Sequence, residues 1–359
     1  MKKVVFLMPQ LGGGGAERVV SNIISHLNYE KYEIYLILVH NQGDYLDKLP
    51  NEVKKIVLKA SQTRYVYFEL IKTLRIISPD IVLSTLRGLS LLLLMAKPFL
   101  KRNTKIILRE ENTVSVALKE LKTGWLWKLY YKFIFPIADN IVCQSKYMEN
   151  DLVNNFGIKS NKIIQIYNPV DFENIKQNLN KSINPFPPKS DKKFKVVTIG
   201  RLAYQKGIDL LIESVNKHKT RLNMTELWIV GDGVEYENYV RKVEELNLGE
   251  IIKFVGRDSN PYRWMKFCDL FILPSRYEGL PNVLLEAASA NCNIVTSNHP
   301  GGTNEIMKII EKEKYVVDHL DWDLKWFKPQ KDVNFVNLKK TFDVAYSVKK
   351  FENLFDDLK

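Results

Sequence analysis

Short continuous apolar runs alternate along the chain with stretches in which apolar residues recur every three or four positions. The runs are typical of strands buried in a parallel sheet, and the other stretches are typical of amphipathic helices. The apolar runs predict strands at residues 4–8, 32–39, 81–84, 106–108, 141–143 and 163–166, and again at residues 195–199, 227–230, 252–255, 269–273 and 294–296. This alternation predicts an α/β fold with parallel sheets.

The pattern of strand, glycine-containing turn and helix opens both halves of the chain. Residues 177–193 separate the halves and are rich in Asn, Lys and Pro, which disfavours a continuous helix or a central strand. We therefore predict a Rossmann-like domain at residues 1–176, a linker at 177–193 and a second Rossmann-like domain at 194–335. Residues 336–359 form a terminal segment whose apolar positions have helical spacing.

Length, charge and cysteine usage narrow the class of protein. A chain of 359 residues with 45% apolar and 26% charged residues fits two globular domains. The three cysteines have no metal-ligand spacing and indicate a reducing compartment. The formal net charge of +12 implies an acidic partner, and the absence of nucleic-acid motifs favours a phosphorylated substrate or an anionic membrane surface. We expect a cytoplasmic protein with no nucleic-acid partner.

The first glycine turn does not match the dinucleotide-binding fingerprint. Its spacing is not G-x-G-x-x-G, and the second strand ends in His40-Asn41 where an acidic ribose ligand would stand. An NAD-dependent enzyme is therefore disfavoured.

Residues 274–287 carry the most informative chemistry. They follow the apolar run at 269–273 and lead into an Ala-rich helical segment, with Gly, Pro and Asn at the turn. A helix N-terminus attracts phosphate, because its backbone donors and its macrodipole both favour an anion. Glu278 and Glu286 bracket this turn, and carboxylates accept hydrogen bonds from sugar hydroxyls. Phosphate donors beside hydroxyl acceptors suggest a sugar nucleotide.

The string Ser-x-x-Glu-Gly-Leu-Pro-Asn-Val-Leu-Leu-Glu-Ala at residues 275–287 resembles the Glu-x7-Glu signature of retaining glycosyltransferases, in particular glycosyltransferase family 4. The turns at residues 14–18 and 301–306 also match this family, and the resemblance covers residues 1–306 and the final helix. It implies a GT-B fold, with two facing Rossmann-like domains, an interdomain cleft and a last helix that returns to the first domain. It also implies a nucleoside-diphosphate sugar as donor substrate, with no cofactor and no metal.

The resemblance assigns roles to individual residues. Arg201 and Lys206 match the family's basic pair, which holds the donor diphosphate and neutralises it as it leaves. Glu278 would hold the sugar hydroxyls and is predicted with this pair as catalytic, while Glu286 would hold the ribose. The remaining predicted donor-binding residues are Gly14, Gly15, Gly200, Gly256, Gly279, Leu280, Pro281, Asn282 and Val283.

Glu111 departs from the family pattern. Many relatives carry a histidine at this position, after the predicted strand at 106–108, and that histidine reaches the sugar in the cleft. Either Glu111 has a modified role, in which it accepts a hydrogen bond from a hydroxyl of the donor or the acceptor, or the geometry of the cleft differs. Both alternatives stay open, and no catalytic histidine is assigned.

Residues 119–135 mix aromatic residues with four lysines. Such a segment either lies at a membrane interface, with its lysines on lipid phosphates, or forms a buried helix with its lysines extended to solvent. Residues 97–102 add basic charge to the same half. A lipid-linked glycan acceptor would dock on this half, with the protein peripheral on the inner face of the cell membrane.

The predicted function is transfer of a sugar from a nucleoside-diphosphate sugar, with a UDP-sugar favoured, to a glycan or lipid-linked glycan in bacterial cell-envelope polysaccharide synthesis. The predicted enzyme is of the hexosyltransferase type and retains anomeric configuration. The alternative is a non-catalytic module that binds polyanions or membranes and keeps the fold. A GT-B epimerase is disfavoured because the five histidines do not suggest acid/base chemistry. The string Asp321-Trp322-Asp323 lies outside the strand-to-loop context of a metal-binding D-x-D motif, and we treat it as coincidence.

Overall fold

The computed structural model describes residues 1–59 and 63–358, with side chains for all of these except residues 63–65. These residues form two units. The first contains residues 1–170 and the C-terminal segment from Phe342, and the second is Asp171–Thr341.

The first unit is built on a sheet of seven parallel strands. Their continuous apolar sequences suit burial on both faces, since helices cover each side of a parallel sheet. In chain order the strands are β1 (Lys2–Met8), β2 (Tyr32–Leu38), β3 (Lys54–Val57), β4 (Ile81–Thr85), β5 (Lys105–Arg109), β6 (Asn140–Cys143) and β7 (Ile163–Gln165). Their order in the sheet is β3-β2-β1-β4-β5-β6-β7, so the direction of winding reverses between β1 and β4.

Helices cover this sheet and leave an apolar core on each face. The helices before residue 170 are α1 (Gly15–His26), α2 (Thr63–Ile77), α3 (Arg87–Ala96), α4 (Val114–Ala117), α5 (Gly124–Leu129) and α6 (Lys146–Phe156). A π-helical turn, Tyr130–Ile134, follows α5 directly and places Tyr130 and Tyr131 in the core.

The second unit repeats this architecture with six parallel strands in the order β10-β9-β8-β11-β12-β13. The strands are β8 (Phe194–Ile199), β9 (Thr225–Val230), β10 (Ile252–Gly256), β11 (Leu270–Leu273), β12 (Ile294–Ser297) and β13 (Val316–Val317). The helices are α7 (Phe172–Asn180), α8 (Ile208–His218), α9 (Tyr236–Glu245), α10 (Tyr262–Phe267), α11 (Asn282–Ser289), α12 (Thr303–Ile309) and α13 (Phe335–Phe342). Here the winding reverses between β8 and β11.

The last helix, α14 (Val344–Asp357), completes the core of the first unit. Asp343 caps it by accepting a hydrogen bond from the Ala345 amide at 2.9 Å. Phe355 is buried against Tyr32 in an edge-to-face contact with ring centroids 5.7 Å apart. The end of the chain therefore covers the same face of the sheet as α1.

The prediction of an α/β fold with two parallel sheets is confirmed. The boundaries of the units differ from the predicted ones. Helix α7 lies within the predicted first domain and linker, and the second unit begins at Asp171. The Pro-rich part packs onto the second unit, because Phe186 is buried between the rings of Trp228 and Trp264.

The terminal helical segment is also divided. The amphipathic pattern continues through residues 335–357, but Asp343 interrupts the helix, and residues 336–341 belong to the second unit. An aspartate side chain that bonds to the backbone favours a helix start over a helix interior. Lys359, in the predicted terminal segment, lies outside the described residues.

Among residues 1–59 and 63–358, no helix is both long enough and apolar enough to cross a lipid bilayer.

Candidate functional site

Each sheet has one point at which the order of its strands reverses, next to β1 and β4 in the first unit and β8 and β11 in the second. Ligands of open α/β sheets bind outside the carboxyl ends of the strands at such a point, because the loops there diverge. The predicted motifs lie at these ends. Gly200 follows β8, and the Glu-Gly-Leu-Pro-Asn string follows β11. Gly14 and Gly15 follow β1.

In the second unit, the loops after β8 and β11 are packed closely against each other. Gly207 has φ +63°, and a Cβ atom there would lie 2.1 Å from the carbonyl oxygen of Pro274. The Arg276 amide donates to the Gln205 carbonyl at 2.8 Å. A side chain at residue 207 would separate the loops, so glycine is required for this approach.

The carboxylate of Glu278 is the centre of this site. Lys206 Nζ lies 2.6 Å from its Oε1 atom, and Ser275 Oγ donates to the same oxygen at 2.7 Å. Gln205 Nε2 donates to Oε2 at 3.3 Å. Glu278 is only 5% exposed, so these donors compensate the loss of water around a buried charge. The structure brings together two of the three predicted catalytic residues.

Arg201, the third predicted catalytic residue, lies on the same loop as Lys206 and is exposed. Among the described residues its guanidinium has neither a hydrogen bond nor an ion pair. A cation with such freedom is available to an anionic ligand.

Glu286 lies in α11 and is buried, about one turn beyond the start of the helix. The other predicted donor-binding residues of the second unit fall into three places. Gly279, Leu280 and Pro281 form the turn before α11, and Asn282 and Val283 are the first residues of the helix. Gly256 ends β10 with φ +78°, and a Cβ atom on Gly200 would lie 3.7 Å from the aliphatic part of Lys206.

The sequence analysis missed several members of this site. Gln205 and Ser275 lie inside the recognised strings, but the residue order does not reveal their bonds to Glu278. Arg276 forms a two-pronged ion pair with Asp209 and stacks over the Tyr204 ring, with its guanidinium carbon 3.9 Å from the ring centroid. That pair holds the loop after β11 to α8.

His299 is a further buried polar residue of the second unit. Its ring nitrogens lie 2.7 Å from Thr303 Oγ1 and 3.2 Å from Ser297 Oγ. Burial lowers the pKa of His299, and the nearby charge of Glu278 opposes that shift. These contacts give the imidazole a structural role between β12 and α12.

In the first unit, Gly14 is the residue before α1, and Gly15 begins that helix. Glu111 follows β5 and accepts a hydrogen bond from Thr85 Oγ1 at the end of β4. Burial raises the pKa of Glu111 to about 7, and the positive charge of Arg109 opposes the rise. The structure therefore places Glu111 and the glycine turn at the same edge of the first sheet.

The region around Glu111 contains a cavity of about 190 Å³. Its lining includes Leu86, Arg87, Arg109, Glu110, Glu111 and Asn112. Charged and amide groups dominate this list, which suits a polar ligand with several hydrogen-bonding groups.

The Asp321-Trp322-Asp323 string has structural contacts. Asp321 pairs with Lys217 at 3.8 Å, and Asp323 accepts a hydrogen bond from the Lys325 amide at 2.9 Å. Within the described part of the chain, no group of three or more His, Cys, Asp or Glu residues is arranged to hold a metal ion.

Comparison with protein families matches both halves of the chain to glycosyltransferases. Residues 13–174 match the family described as Glycosyltransferase Family 4. Residues 180–324 match the family described as glycosyl transferases group 1. The two matched regions contain Glu111 and the site around Glu278 respectively.

Two similar proteins cover most of the chain. N-acetylgalactosamine-N,N'-diacetylbacillosaminyl-diphospho-undecaprenol 4-alpha-N-acetylgalactosaminyltransferase of Campylobacter jejuni is 32% identical over 317 residues, which are 85% of this chain and 83% of that protein. The amylovoran biosynthesis glycosyltransferase of Erwinia amylovora is 26% identical over 351 residues, covering 96% of this chain and 94% of its own length.

Solved structures share the whole fold. Anabaena HepE in complex with UDP-glucose superposes with a TM-score of 0.76 at 15% identity, with both chains fully covered. The lipopolysaccharide-biosynthesis glycosyltransferase WaaG gives a TM-score of 0.69 at 15% identity, covering 99% of this chain and all of its own. The predicted GT-B fold is thereby confirmed. Together with the 32% identity to the Campylobacter jejuni enzyme, these matches identify the chain as a member of glycosyltransferase family 4.

Proposed function

We propose that this glycosyltransferase transfers a sugar from a nucleoside-diphosphate sugar, most favourably a UDP-sugar, with retention of anomeric configuration. The proposal rests on one observation above all, the buried Glu278 carboxylate held by Lys206, whose loop also carries the exposed Arg201. A cation paired with a buried carboxylate, and a second cation on the same loop, suit a donor that carries a diphosphate next to sugar hydroxyls.

The proposed chemistry depends on positioning and charge. Arg201 and Lys206 bind the diphosphate and stabilise the negative charge that develops on it as the glycosidic bond breaks. Glu278 accepts hydrogen bonds from the sugar hydroxyls, and Glu286 binds the ribose. The start of α11 adds backbone donors and a favourable dipole for the phosphates. Neither a metal nor a cofactor takes part in this scheme.

The proposed acceptor is a glycan or a lipid-linked glycan, in the synthesis of a cell-envelope polysaccharide. The Campylobacter jejuni relative is named for a diphospho-undecaprenol acceptor, and the Erwinia amylovora relative for amylovoran biosynthesis. These names support an acceptor of this class.

An exposed apolar surface on the first unit supports a lipid-linked acceptor. We define the α5 surface as the five exposed apolar residues Trp125, Leu126, Leu129, Phe133 and Ile137. Trp125 is 65% exposed and Phe133 is 63% exposed, although both are large aromatic residues. Large exposed apolar patches mark interaction sites, since water contact with them is unfavourable.

The charges around the α5 surface favour one kind of partner. Four exposed lysines belong to the same segment: Lys119, Lys122, Lys128 and Lys132. Aromatic side chains enter the headgroup region of a bilayer while lysines contact anionic headgroups. We therefore propose that the α5 surface binds an anionic membrane, with the protein on the cytoplasmic face.

Product analysis tests the proposed function. Purified protein is screened against a panel of UDP-, GDP- and ADP-sugars by thermal shift, because a bound donor raises apparent stability. The stabilising donor is then used for transfer, and the anomeric configuration of the product is determined by NMR. We expect a UDP-sugar to stabilise the protein and the product to keep the donor configuration. An inverted product would contradict the retaining mechanism. Neither stabilisation nor transfer with any donor would favour the non-catalytic alternative.

A further inference from the structure

The turn that carries Lys206 is bonded twice to a single arginine of the neighbouring loop. This turn, Tyr204–Lys206, is a short 3-10 helix between β8 and α8. Arg276 Nη1 donates to the Tyr204 carbonyl at 2.8 Å, and the Arg276 amide donates to the Gln205 carbonyl at the same distance. Two consecutive carbonyls of the turn are therefore held by one residue of the loop after β11.

The side chain of Arg276 is itself fixed from two directions. Its Nη1 and Nη2 atoms donate to the two carboxylate oxygens of Asp209 at 2.7 Å and 2.6 Å, and Asp209 lies in the first turn of α8. Two parallel hydrogen bonds between planar groups define their mutual orientation. The Tyr204 ring covers the guanidinium, whose carbon lies 3.9 Å from the ring centroid. Arg276 thus joins the turn to the helix that follows it.

Both members of the Arg276–Asp209 pair are charged at neutral pH. Burial alone would raise the pKa of Asp209, but the hydrogen bonds and the positive charge of Arg276 lower it overall. The hydrogen bond with Asp209 in turn raises the pKa of Arg276. The two side chains are only 18% and 23% exposed, so salt screens this pair less than it screens a surface pair.

The hydrogen bonds of Arg276 are directed at the protein. Its Nη1 atom donates to both Asp209 and the Tyr204 carbonyl, and Nη2 donates to Asp209 as well. Lys206, in the turn that Arg276 holds, pairs with Glu278 two residues beyond Arg276. A catalytic group displaced by about 1 Å can lose a hundredfold in rate, so the rigidity of this turn matters for Lys206.

We propose that Arg276 is a positioning residue for glycosyl transfer, which acts with Asp209 and the Tyr204 ring to hold Lys206 where the donor diphosphate requires it. This inference rests on the proposed function, because it takes Lys206 to bind that diphosphate. Arg276 itself does not contact the substrate. Lys206 stabilises charge that develops in the transition state, so loss of Arg276 lowers kcat more than it raises KM for the donor.

Steady-state kinetics of the full-length protein with the stabilising sugar nucleotide test this role. Arg276→Ala should lower kcat by about tenfold to a hundredfold, with a change of less than about threefold in the donor KM. Arg276→Lys should recover only part of the loss, because lysine lacks the planar fork of donors. Asp209→Asn should lower kcat less than Arg276→Ala does, since the bonds from Arg276 to Tyr204 and Gln205 remain.

Chemical rescue provides a second measurement on the same variant. Millimolar guanidinium ion, far below the concentration that unfolds a protein, can occupy the space left by the arginine side chain in Arg276→Ala. It should restore part of the lost kcat, whereas sodium chloride at equal ionic strength should not. Rescue that is equal with both salts would contradict a specific role of the guanidinium group.

A double-mutant cycle distinguishes action through Lys206 from a separate effect. If Arg276 acts through Lys206, Arg276→Ala in the Lys206→Ala background should cause little further loss of kcat. Losses that multiply in the double variant would overturn the proposal. If Arg276→Ala does not fold, the same cycle is measured with Arg276→Lys.

The matched control is Lys193→Ala. Lys193 pairs with the buried carboxylate of Glu226 at 3.2 Å, near the start of β9 and therefore at the opposite end of the sheet from the site. This variant should be less stable than the wild type but keep its kcat. Wild-type kcat in Arg276→Ala, or an equal loss of kcat in Lys193→Ala, would overturn the positioning role. If the wild type transfers no sugar, the proposed function itself fails, and this inference fails with it.

Discussion

At the scale of single residues, Arg201 and Lys206 differ in exposure and in ion pairing, although both are predicted to bind the diphosphate. Lys206 is paired with the buried carboxylate of Glu278, whereas Arg201 is exposed. Removing Lys206 leaves a buried negative charge without its cation, so it affects stability as well as activity. The ion pair therefore predicts a loss of stability for a substitution of Lys206 but not for one of Arg201.

We predict that Lys206→Ala lowers the free energy of unfolding by about 3 kcal/mol, because the buried carboxylate of Glu278 loses its ion pair with Lys206. Glu278→Gln in the same chain should recover part of this loss, since it removes the buried charge. Urea denaturation of the wild type, both single variants and the double variant measures the coupling. Additive effects of the two substitutions would show that the pair does not stabilise the fold.

At the scale of elements, the apolar runs located the central strands but not two edge strands. Strand β3 has exposed lysines and one partly buried isoleucine, so it lacks the continuous apolar run that marks buried strands. Strand β13 has two residues, which is too short for any periodic signal. These residues form strands because they pair with the edge of a sheet, and their local sequences do not show it.

The candidate site could be predicted only in part, because only some of its residues lie in recognisable local patterns. Glu278, Lys206 and the glycines lie in strings with fixed spacing, so the sequence identified them. The Arg109 contact with Asn168 joins residues 59 positions apart, and no local pattern reveals it. The buried, incompletely bonded Arg109 therefore became visible only in the structure.

Helix α5 and the π-helical turn after it contain both buried and exposed side chains, so residues 119–135 are not a uniformly buried helix. Tyr130 and Tyr131 face the core, while Trp125 and Phe133 face solvent. The extra residue per turn of a π-helix redirects side chains relative to an α-helix. Helix α5 and the π-helical turn thus carry both the α5 surface and Tyr131, whose hydroxyl donates a hydrogen bond to Glu110.

We predict that Trp125→Ser combined with Phe133→Ser reduces binding to vesicles at least tenfold, because two large apolar side chains no longer enter the bilayer. The measurement is cosedimentation with vesicles containing phosphatidylglycerol and phosphatidylethanolamine. Binding by the wild type should also weaken with added salt.

The matched control for the α5 surface is Val234→Ser combined with Ile183→Ser. These residues are also highly exposed, but they lie in the second unit. The control should bind vesicles as the wild type does. Equal loss in both double variants, or no loss in either, would contradict a membrane-binding role of the α5 surface.

At the scale of the whole molecule, two similar sheets carry different chemistry. The edge of the second sheet presents Lys206 paired with the buried carboxylate of Glu278. The edge of the first presents Glu111 at a cavity whose lining contains several charged side chains. Helix α14 completes the first unit with residues more than 300 positions from β1. The proposed function thus places donor binding on the second unit and the lipid-linked acceptor on the first.

The most direct test of the account is the turnover of Arg201→Ala with the stabilising sugar nucleotide. Arg201 is exposed and has no ion pair or hydrogen bond to other described residues, so its loss should leave the unfolding midpoint unchanged. Lys217→Ala is the control, because Lys217 is an exposed cation of the same unit that contacts Asp321. We predict that Arg201→Ala lowers kcat by about a hundredfold, since it removes charge stabilisation of the leaving diphosphate, and that Lys217→Ala retains wild-type kcat. Wild-type kcat in Arg201→Ala would contradict the diphosphate site on which the account depends.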